Sequence, residues 1–186
     1  IDAQGNNIFQ QGDQGPQGAF AHAIAGLLQA TPELLALYAP HANSYRRLVD
    51  GVTMAPTTLS WGFENRTALV RLPETDAPAT RVEHRLASAD ANPYLVAAAT
   101  LAGIHHGLSS KPALQEETHG NAYQQHPAAL AIPWAEAVER FAVSPIAADY
   151  LDKRFVHAFN MIKQAEIKRF GCTITDFEYN SYLRHV

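Results

Sequence analysis

The sequence predicts an α+β protein in which an antiparallel sheet is flanked by helices, and three observations lead there. Residues 57–62, 67–72 and 80–86 are short β-branched or apolar runs separated by turn-forming stretches, the pattern of consecutive antiparallel strands in a meander. Helical periodicity and capping residues mark segments before and after these runs. A composition of 47% hydrophobic and 17% charged residues over 186 positions describes an ordinary soluble globular core, not a disordered chain.

Residues 1–16 read as a strand end, a turn and a loop dotted with Gly5, Gly12, Gly15 and Pro16. A helix is expected over 19–28, where Phe20, Ala23, Ile24, Leu27 and Leu28 recur at helical spacing. Thr31 then caps a second helix with Pro32 at its first position and Leu34, Leu35 and Leu37 behind it, ended by Pro40. Residues 41–56 form a polar loop. Trp61 belongs to the first strand run. Flat-strand alternation would put Arg66 and Arg71 on opposite faces, so Arg66 is expected in the turn leading into the second strand and not on it.

Beyond the strands, Asp90-Ala91-Asn92-Pro93 starts a helix with a cap and an early proline. Its Ala-rich body, 94–108, is expected to pack on the sheet through Tyr94, Leu95, Ala98, Leu101, Ala102 and His105. A long polar loop over 109–132 is expected to be mobile. Further helices run from Pro133-Trp134 to Phe141, from Ser144-Pro145, and over 153–170 with Gly171 as C-cap. Thr175 caps a last short helix whose first turn holds Asp176 and Glu178.

A net charge of −4 without a basic run argues against a nucleic-acid surface. The single Cys172 has no internal partner, which fits a reducing cytoplasm, and with no activating neighbour it is expected to be inert. No stretch reaches the roughly 18 uninterrupted apolar residues of a membrane helix, and the first residues have neither a basic start nor an apolar core of a signal peptide. The chain lacks an initiator Met, and residues 2–7 read as a turn already in mid-fold, so a fragment of a longer protein is expected. The nine histidines include no His-x₃-His pair or His-Glu-x-x-His motif. No phosphate-binding Gly-Lys-Ser/Thr loop and no Gly-x-Ser-x-Gly elbow is present. Tyr123 reads as a solvated loop residue.

The chemistry concentrates in Arg81-Val82-Glu83-His84-Arg85. On an extended strand Arg81, Glu83 and Arg85 share a face and His84 points the other way, into packing. Two guanidinium forks suit phosphate or carboxylate, and a glutamate between them suits a hard cation. A surface salt-bridge ladder would use the same residues. Arg47, Arg66, Arg71, Arg81 and Arg85 fall within 39 positions, and so many cations in one place repel unless an anionic ligand joins them.

Asn43-Ser44-Tyr45-Arg46-Arg47-Leu48-Val49, Trp61-Gly62-Phe63-Glu64-Asn65-Arg66-Thr67, the Arg81 to Arg85 stretch and Ala89-Asp90-Ala91-Asn92-Pro93-Tyr94-Leu95 together resemble the glutamine synthetase family. The resemblance implies that the chain is the C-terminal part of one catalytic domain of that type, without the N-terminal β-grasp domain or the early catalytic strands that supply most metal ligands. It implies an ATP-dependent ligase that makes γ-glutamyl phosphate and then an amide. By that resemblance Glu83 is a ligand to Mg²⁺ or Mn²⁺, and Arg47 and Arg85 hold the glutamate carboxylate and the transferring phosphoryl group. Arg66 and Arg85 are catalytic, while Arg66, Arg71 and Arg81 contact the phosphates of ATP. Phosphoryl transfer is mostly positioning and charge stabilisation, which arginines and metals supply.

Two departures from the ammonia-using pattern stand out: the first points to a branch, the second to different nucleotide contacts. Where those members have Gly-aromatic-Glu-Ala-Pro, this chain has Gly51-Val52-Thr53-Met54-Ala55-Pro56, longer and without a carboxylate. Pro78 stands where a lysine near the adenine is common. The motifs resemble γ-glutamylpolyamine and γ-glutamylamine synthetases more closely, so the implied substrates are glutamate and an organic amine or polyamine. Glutamine synthetase proper, using ammonium, and a non-catalytic homologue are the alternatives. The family implies a ring-shaped homo-oligomer, and this piece alone is expected to be inactive.

Overall fold

The computed structural model describes residues 3–9, 15–51, 54–74 and 79–183. Expectations that rest on Ile1, Asp2, Gly12, Val52, Thr53, Pro78 or Arg184 lie outside the described residues. The chain is organised around α1 (Gly18–Tyr38), whose buried positions run nearly all the way round, from Phe20 and Ile24 to Leu34, Leu35 and Tyr38. It is long and apolar enough to cross a membrane, but 72% of its most apolar window is buried inside the protein, so it is a core helix. The two helices expected here are one. Pro32 sits inside α1, where it removes a main-chain donor at a cost of about 3 kcal/mol. Burying Leu34, Leu35 and Leu37, each at most 1% exposed, returns roughly 1.5–3 kcal/mol apiece and keeps the helix continuous.

Close contact with α3 (Pro93–Ser110) is what makes α1 central. Gly26 on α1 meets Gly103 and Gly107 on α3, and a Cβ on Gly26 would fall onto their main chains, while one on Gly107 would come within 2.8 Å of the Gly26 Cα. The face expected to pack is only partly right: Ala102 is buried and Leu95 lies against the core, but the close contact is made one position over. Ala99, Ala102, Gly103 and Gly107 are buried, whereas Tyr94 is 84% and Leu101 65% exposed. Small residues do allow close packing here, against a helix and not a sheet. The start of α3 is as expected: the Asn92 side chain accepts from the Tyr94 and Leu95 main-chain N–H groups.

The sheet is small and mixed, not an antiparallel meander. Its strands are β1 (Trp61–Phe63), β2 (Val70–Leu72) and β3 (Glu83–His84), in the order β1-β2-β3. β1 and β2 run parallel, with Gly62 opposite Arg71, and β2 and β3 run antiparallel, with Arg71 opposite Glu83. The parallel pairing is possible because the 64–69 connection leaves the sheet and returns. The Asn65 side chain donates to the carbonyls of Thr118 and Gly120 and accepts from the Thr67 N–H and hydroxyl, so the turn is pinned to a distant segment. Arg66 lies in that turn, as expected.

That distant segment is the long 109–132 stretch, and it is anchored. Thr118 N–H donates to Trp61 O at 2.9 Å, the Trp61 indole to Gln115 O, Phe63 N–H to the Glu117 carboxylate and Leu130 N–H to Thr57 O. Gly62 permits this approach, since a Cβ there would stand 2.7 Å from Thr118 O. Two short helices occur where loops are expected: α2 (Ala42–Arg47) and α4 (Ala122–Gln125). The last four, α5 (Trp134–Val143), α6 (Pro145–Tyr150), α7 (Lys153–Gly171) and α8 (Asp176–Tyr182), follow the expected order. Thr175 and Glu178 form the capping box of α8. Gly171, however, is the last helical residue, and Cys172 follows in right-handed conformation, so no left-handed glycine caps α7.

Gly26→Ala is expected to destabilise the protein by about 3 kcal/mol or more, because the new methyl overpacks against main chain that cannot yield. A thermal or urea midpoint within error of wild type would contradict this account of the α1–α3 contact.

Candidate functional site

Each strand and the turn beside it contribute one charged group to the same sheet face. In β2, Val70 and Leu72 are buried at 0% and 1% exposure, so alternation turns Arg71 to the opposite side. Its guanidinium bridges two carboxylates: Nη2 is 2.5 Å from Glu64 Oε2, and Nη1 is 2.7 Å from Glu83 Oε2. Glu64 directly follows β1, with a positive φ of 48°, and its other oxygen accepts the Glu74 N–H at 2.6 Å. The hydrogen bond from Arg71, then that from Glu74, lowers the Glu64 carboxyl pKa. Pairing with Glu64 in turn raises that of Arg71 against the opposing pull of burial, with Glu83 adding to it.

Arg85 extends the row. Its Nε is 3.6 Å from Glu83 Oε1, and its terminal nitrogens donate to the carbonyls of Arg66, Ala68 and Met54. Burial lowers its pKa; Glu83 opposes that, while Arg71 and Arg66 add to it. Arg47 donates to Leu86 O and to the Ser88 hydroxyl, and is lowered by burial and by Arg85, with Asp90 offsetting. Arg47, Arg66, Arg71 and Arg85 therefore act on a shared patch, in which Glu64 and Glu83 are ion-paired to Arg71 and Arg85. An additional anion would be attracted there.

One expected member stands apart. Arg81 was expected on the same strand face as Glu83 and Arg85, but β3 spans only Glu83–His84. Arg81 precedes it, is exposed, and donates to Ala79 O at 3.4 Å. Alternation does not reach it because the ladder ends at the Arg71–Glu83 pair. Two residues were missed: Glu64, whose sole signal was its place beside Asn65-Arg66, and Tyr123, which hydrogen-bonds Ala55 O at 3.1 Å and is not a solvated loop residue.

His84 takes the packing side, as expected. Its Nε2 lies 3.1 Å from the Thr31 hydroxyl, which donates to Leu27 O. The hydroxyl proton being committed, His84 must donate from Nε2, leaving a bare Nδ1 that is buried without a partner among the described residues. Burial pushes His84 down to about 4, so it is neutral, and its ring lies tilted by 35° against Tyr38 at a centroid distance of 4.5 Å.

A metal is only partly provided for. Among the described residues no group of three or more His, Cys, Asp or Glu side chains converges, and both Glu83 oxygens face arginines. These residues do not by themselves make a metal centre; Glu83 offers one oxygen ligand at most.

The arrangement is one suited to holding anionic groups, and the sequence comparison agrees with it. A family model described as "Glutamine synthetase, catalytic domain" matches residues 1–182. The chain belongs to the glutamine synthetase family. It is 38% identical over 182 residues to gamma-glutamylputrescine synthetase of Escherichia coli, covering 98% of this chain and 38% of that protein. It is 37% identical over 178 residues to gamma-glutamylethanolamide synthetase of Streptomyces coelicolor, covering 95% and 38%. Type-1 glutamine synthetase 2 of Dictyostelium discoideum is 38% identical over 169 residues, covering 88% and 32%. The chain thus spans about two-fifths or less of the length of these relatives. Enzymes of this family use ATP and divalent metals, and guanidinium groups such as those of the patch suit the phosphates of a nucleotide.

The neutral, desolvated His84 sets a pH dependence. The unfolded chain takes up a proton near pH 6.5, the folded one only near 4, so stability is full above 6.5 and is lost as pH falls from there to 4, by at most about 3 kcal/mol from this group. His84→Gln is expected to lower the melting temperature at pH 7.5, with the gap to wild type narrowing at pH 5. A constant gap across that range would remove His84 as the source.

Proposed function

We propose that this chain forms the arginine-rich part of the active site of an ATP-dependent ligase that joins the γ-carboxylate of glutamate to an organic amine or polyamine. The carrying observation is the Glu64–Arg71–Glu83–Arg85 row with Arg47 and Arg66 beside it. In this reading a phosphoryl group passes from ATP to the glutamate γ-carboxylate, releasing ADP. The amine nitrogen then attacks the carbonyl carbon, the C–O bond to phosphate breaks, and the nitrogen gives up a proton. Arg47 and Arg85 hold the glutamate carboxylate and the phosphoryl group, and Arg66 and Arg85 stabilise charge as it moves. Arg66 and Arg71, with the outlying Arg81, contact the nucleotide phosphates. Glu83 is one ligand to Mg²⁺ or Mn²⁺, which would neutralise phosphate charge; its other ligands come from outside the described residues.

The organic-amine assignment is supported by the absence of a carboxylate in Gly51-Val52-Thr53-Met54-Ala55-Pro56 and by the similarity to a gamma-glutamylputrescine synthetase and a gamma-glutamylethanolamide synthetase. The equal identity to a glutamine synthetase favours a second reading, in which ammonium is the nucleophile. The chain is read as the C-terminal portion of one catalytic domain, in a cytoplasmic, ring-shaped homo-oligomer. Exposed Phe177, Tyr179 and Tyr182 on α8, which buries no residue, support subunit contacts.

The full-length protein, given glutamate, ATP, Mg²⁺ and a panel of amines, is expected to release ADP with putrescine or ethanolamine at higher kcat/KM than with ammonium. Turnover with ammonium alone contradicts the organic-amine assignment. Glu83→Gln in the same protein is expected to lower turnover at least a hundredfold, on the order of the loss from removing one charge-stabilising group; near wild-type activity removes Glu83 from the site.

A further inference from the structure

Two consecutive carbonyls at the edge of the arginine patch are held by side chains from distant parts of the chain. Met54 O accepts from Arg85 Nη2 at 3.4 Å, and Ala55 O accepts from the Tyr123 hydroxyl at 3.1 Å. The anchor is itself anchored. Ala122 N–H donates to the Thr67 hydroxyl at 2.9 Å, and that hydroxyl donates to Asn65 Oδ1, so Tyr123 is tied to the turn that carries Arg66. Burial raises the Tyr123 phenol, with Arg85 opposing and Asp50 reinforcing, and it remains a donor at neutral pH. Ala55 is buried, whereas Met54 is 62% exposed. The main chain that carries an uncharged, flexible thioether is thereby tied to a guanidinium that the reading above assigns to the reacting phosphoryl group.

Resting on that reading, we propose that Tyr123 is a positioning residue for the attacking amine: by holding Ala55 it fixes Met54 as an apolar wall beside Arg85, against which the carbon portion of the amine packs. The nitrogen must reach a carbonyl carbon held by the arginines, so its substituent trails outward past their rim. Met54 is apolar surface at that rim. Tyr123 touches neither substrate nor reacting atoms and acts through the main chain of Ala55.

The test uses the full-length enzyme with the organic amine that wild type uses best. Tyr123→Phe removes only the hydroxyl and is expected to raise the KM for the amine about fivefold, the worth of one hydrogen bond, with kcat and the KM values for glutamate and ATP within about twofold. Met54→Ser is expected to raise the organic amine's KM about three- to tenfold while leaving that for ammonium within about twofold. An unchanged amine KM in Tyr123→Phe overturns the proposal. So does a parallel rise in all three KM values with a lowered melting temperature, which would mark Tyr123 as a folding contact only. These outcomes are distinct from failure of the parent reading: wild type that turns over ammonium and no organic amine removes the organic-amine assignment and the Met54 wall together, whereas failure of the variants in an amine-using enzyme removes the wall alone.

Discussion

The approach of α1 to α3 at Gly26, Gly103 and Gly107 is the constraint from which the other distances follow. With no Cβ on either side the two main chains touch, and α1 is sunk deep enough to be buried around most of its circumference. A helix so enclosed can present different residues to different layers: glycine to α3, apolar side chains to α5 and α6, and Thr31 with Tyr38 to the sheet. Had α3 stood off by even one methyl, the face of α1 that receives His84 would shift with it, because packed interiors transmit displacement instead of absorbing it.

The sheet works as a ruler for charge. Three strands of two or three residues each contribute little ladder energy, and isolated they would not persist. Their stability comes from Trp61, Leu69, Val70, Leu72 and Leu86 beneath them, all in the common core. What they provide in return is spacing: Arg71 is held between two strand neighbours, so its fork meets Glu64 on one side and Glu83 on the other. That pairing limits the repulsion among clustered guanidinium groups. It also fixes the orientation of Arg71 before any ligand arrives, and pre-organised donors lose less freedom on binding.

Signals confined to a few neighbouring residues were legible in the sequence. Asn92 before Pro93, Thr175 with Glu178, and the turn position of Arg66 are all local chemistry, and the structure has them. Whatever depends on a partner far along the chain was not legible. The alternation rule assumed a ladder of six or seven residues, and where the ladder is two residues long it says nothing about Arg81. Periodicity located α3 and two members of its packed face, Leu95 and Ala102, but put Tyr94 and Leu101 there instead of the glycines, because the partner helix selects the smallest surface. The parallel pairing of β1 and β2 depends on Asn65 reaching Thr118 and Gly120, more than fifty positions away. The missed contact of Tyr123 with Ala55, 68 positions apart, has the same origin.

Arg85 joins the charged sheet face to the loop segments at its edge. Its side chain is 15% exposed, and its terminal nitrogens are spent on three carbonyls of the segments that carry Arg66 and Met54. It is therefore a fastener of the site's rim as well as one of its charges. Lysine would keep the charge but not the planar fork that reaches several acceptors at fixed angles. Replacing Arg85 would release the Arg66 turn and the Met54 carbonyl together, and its effect would not divide into a structural and an electrostatic part. Single substitutions within such a unit are non-additive. A role for any one of these arginines is therefore better read from double substitutions that pair Arg85 with Arg66 than from either alone.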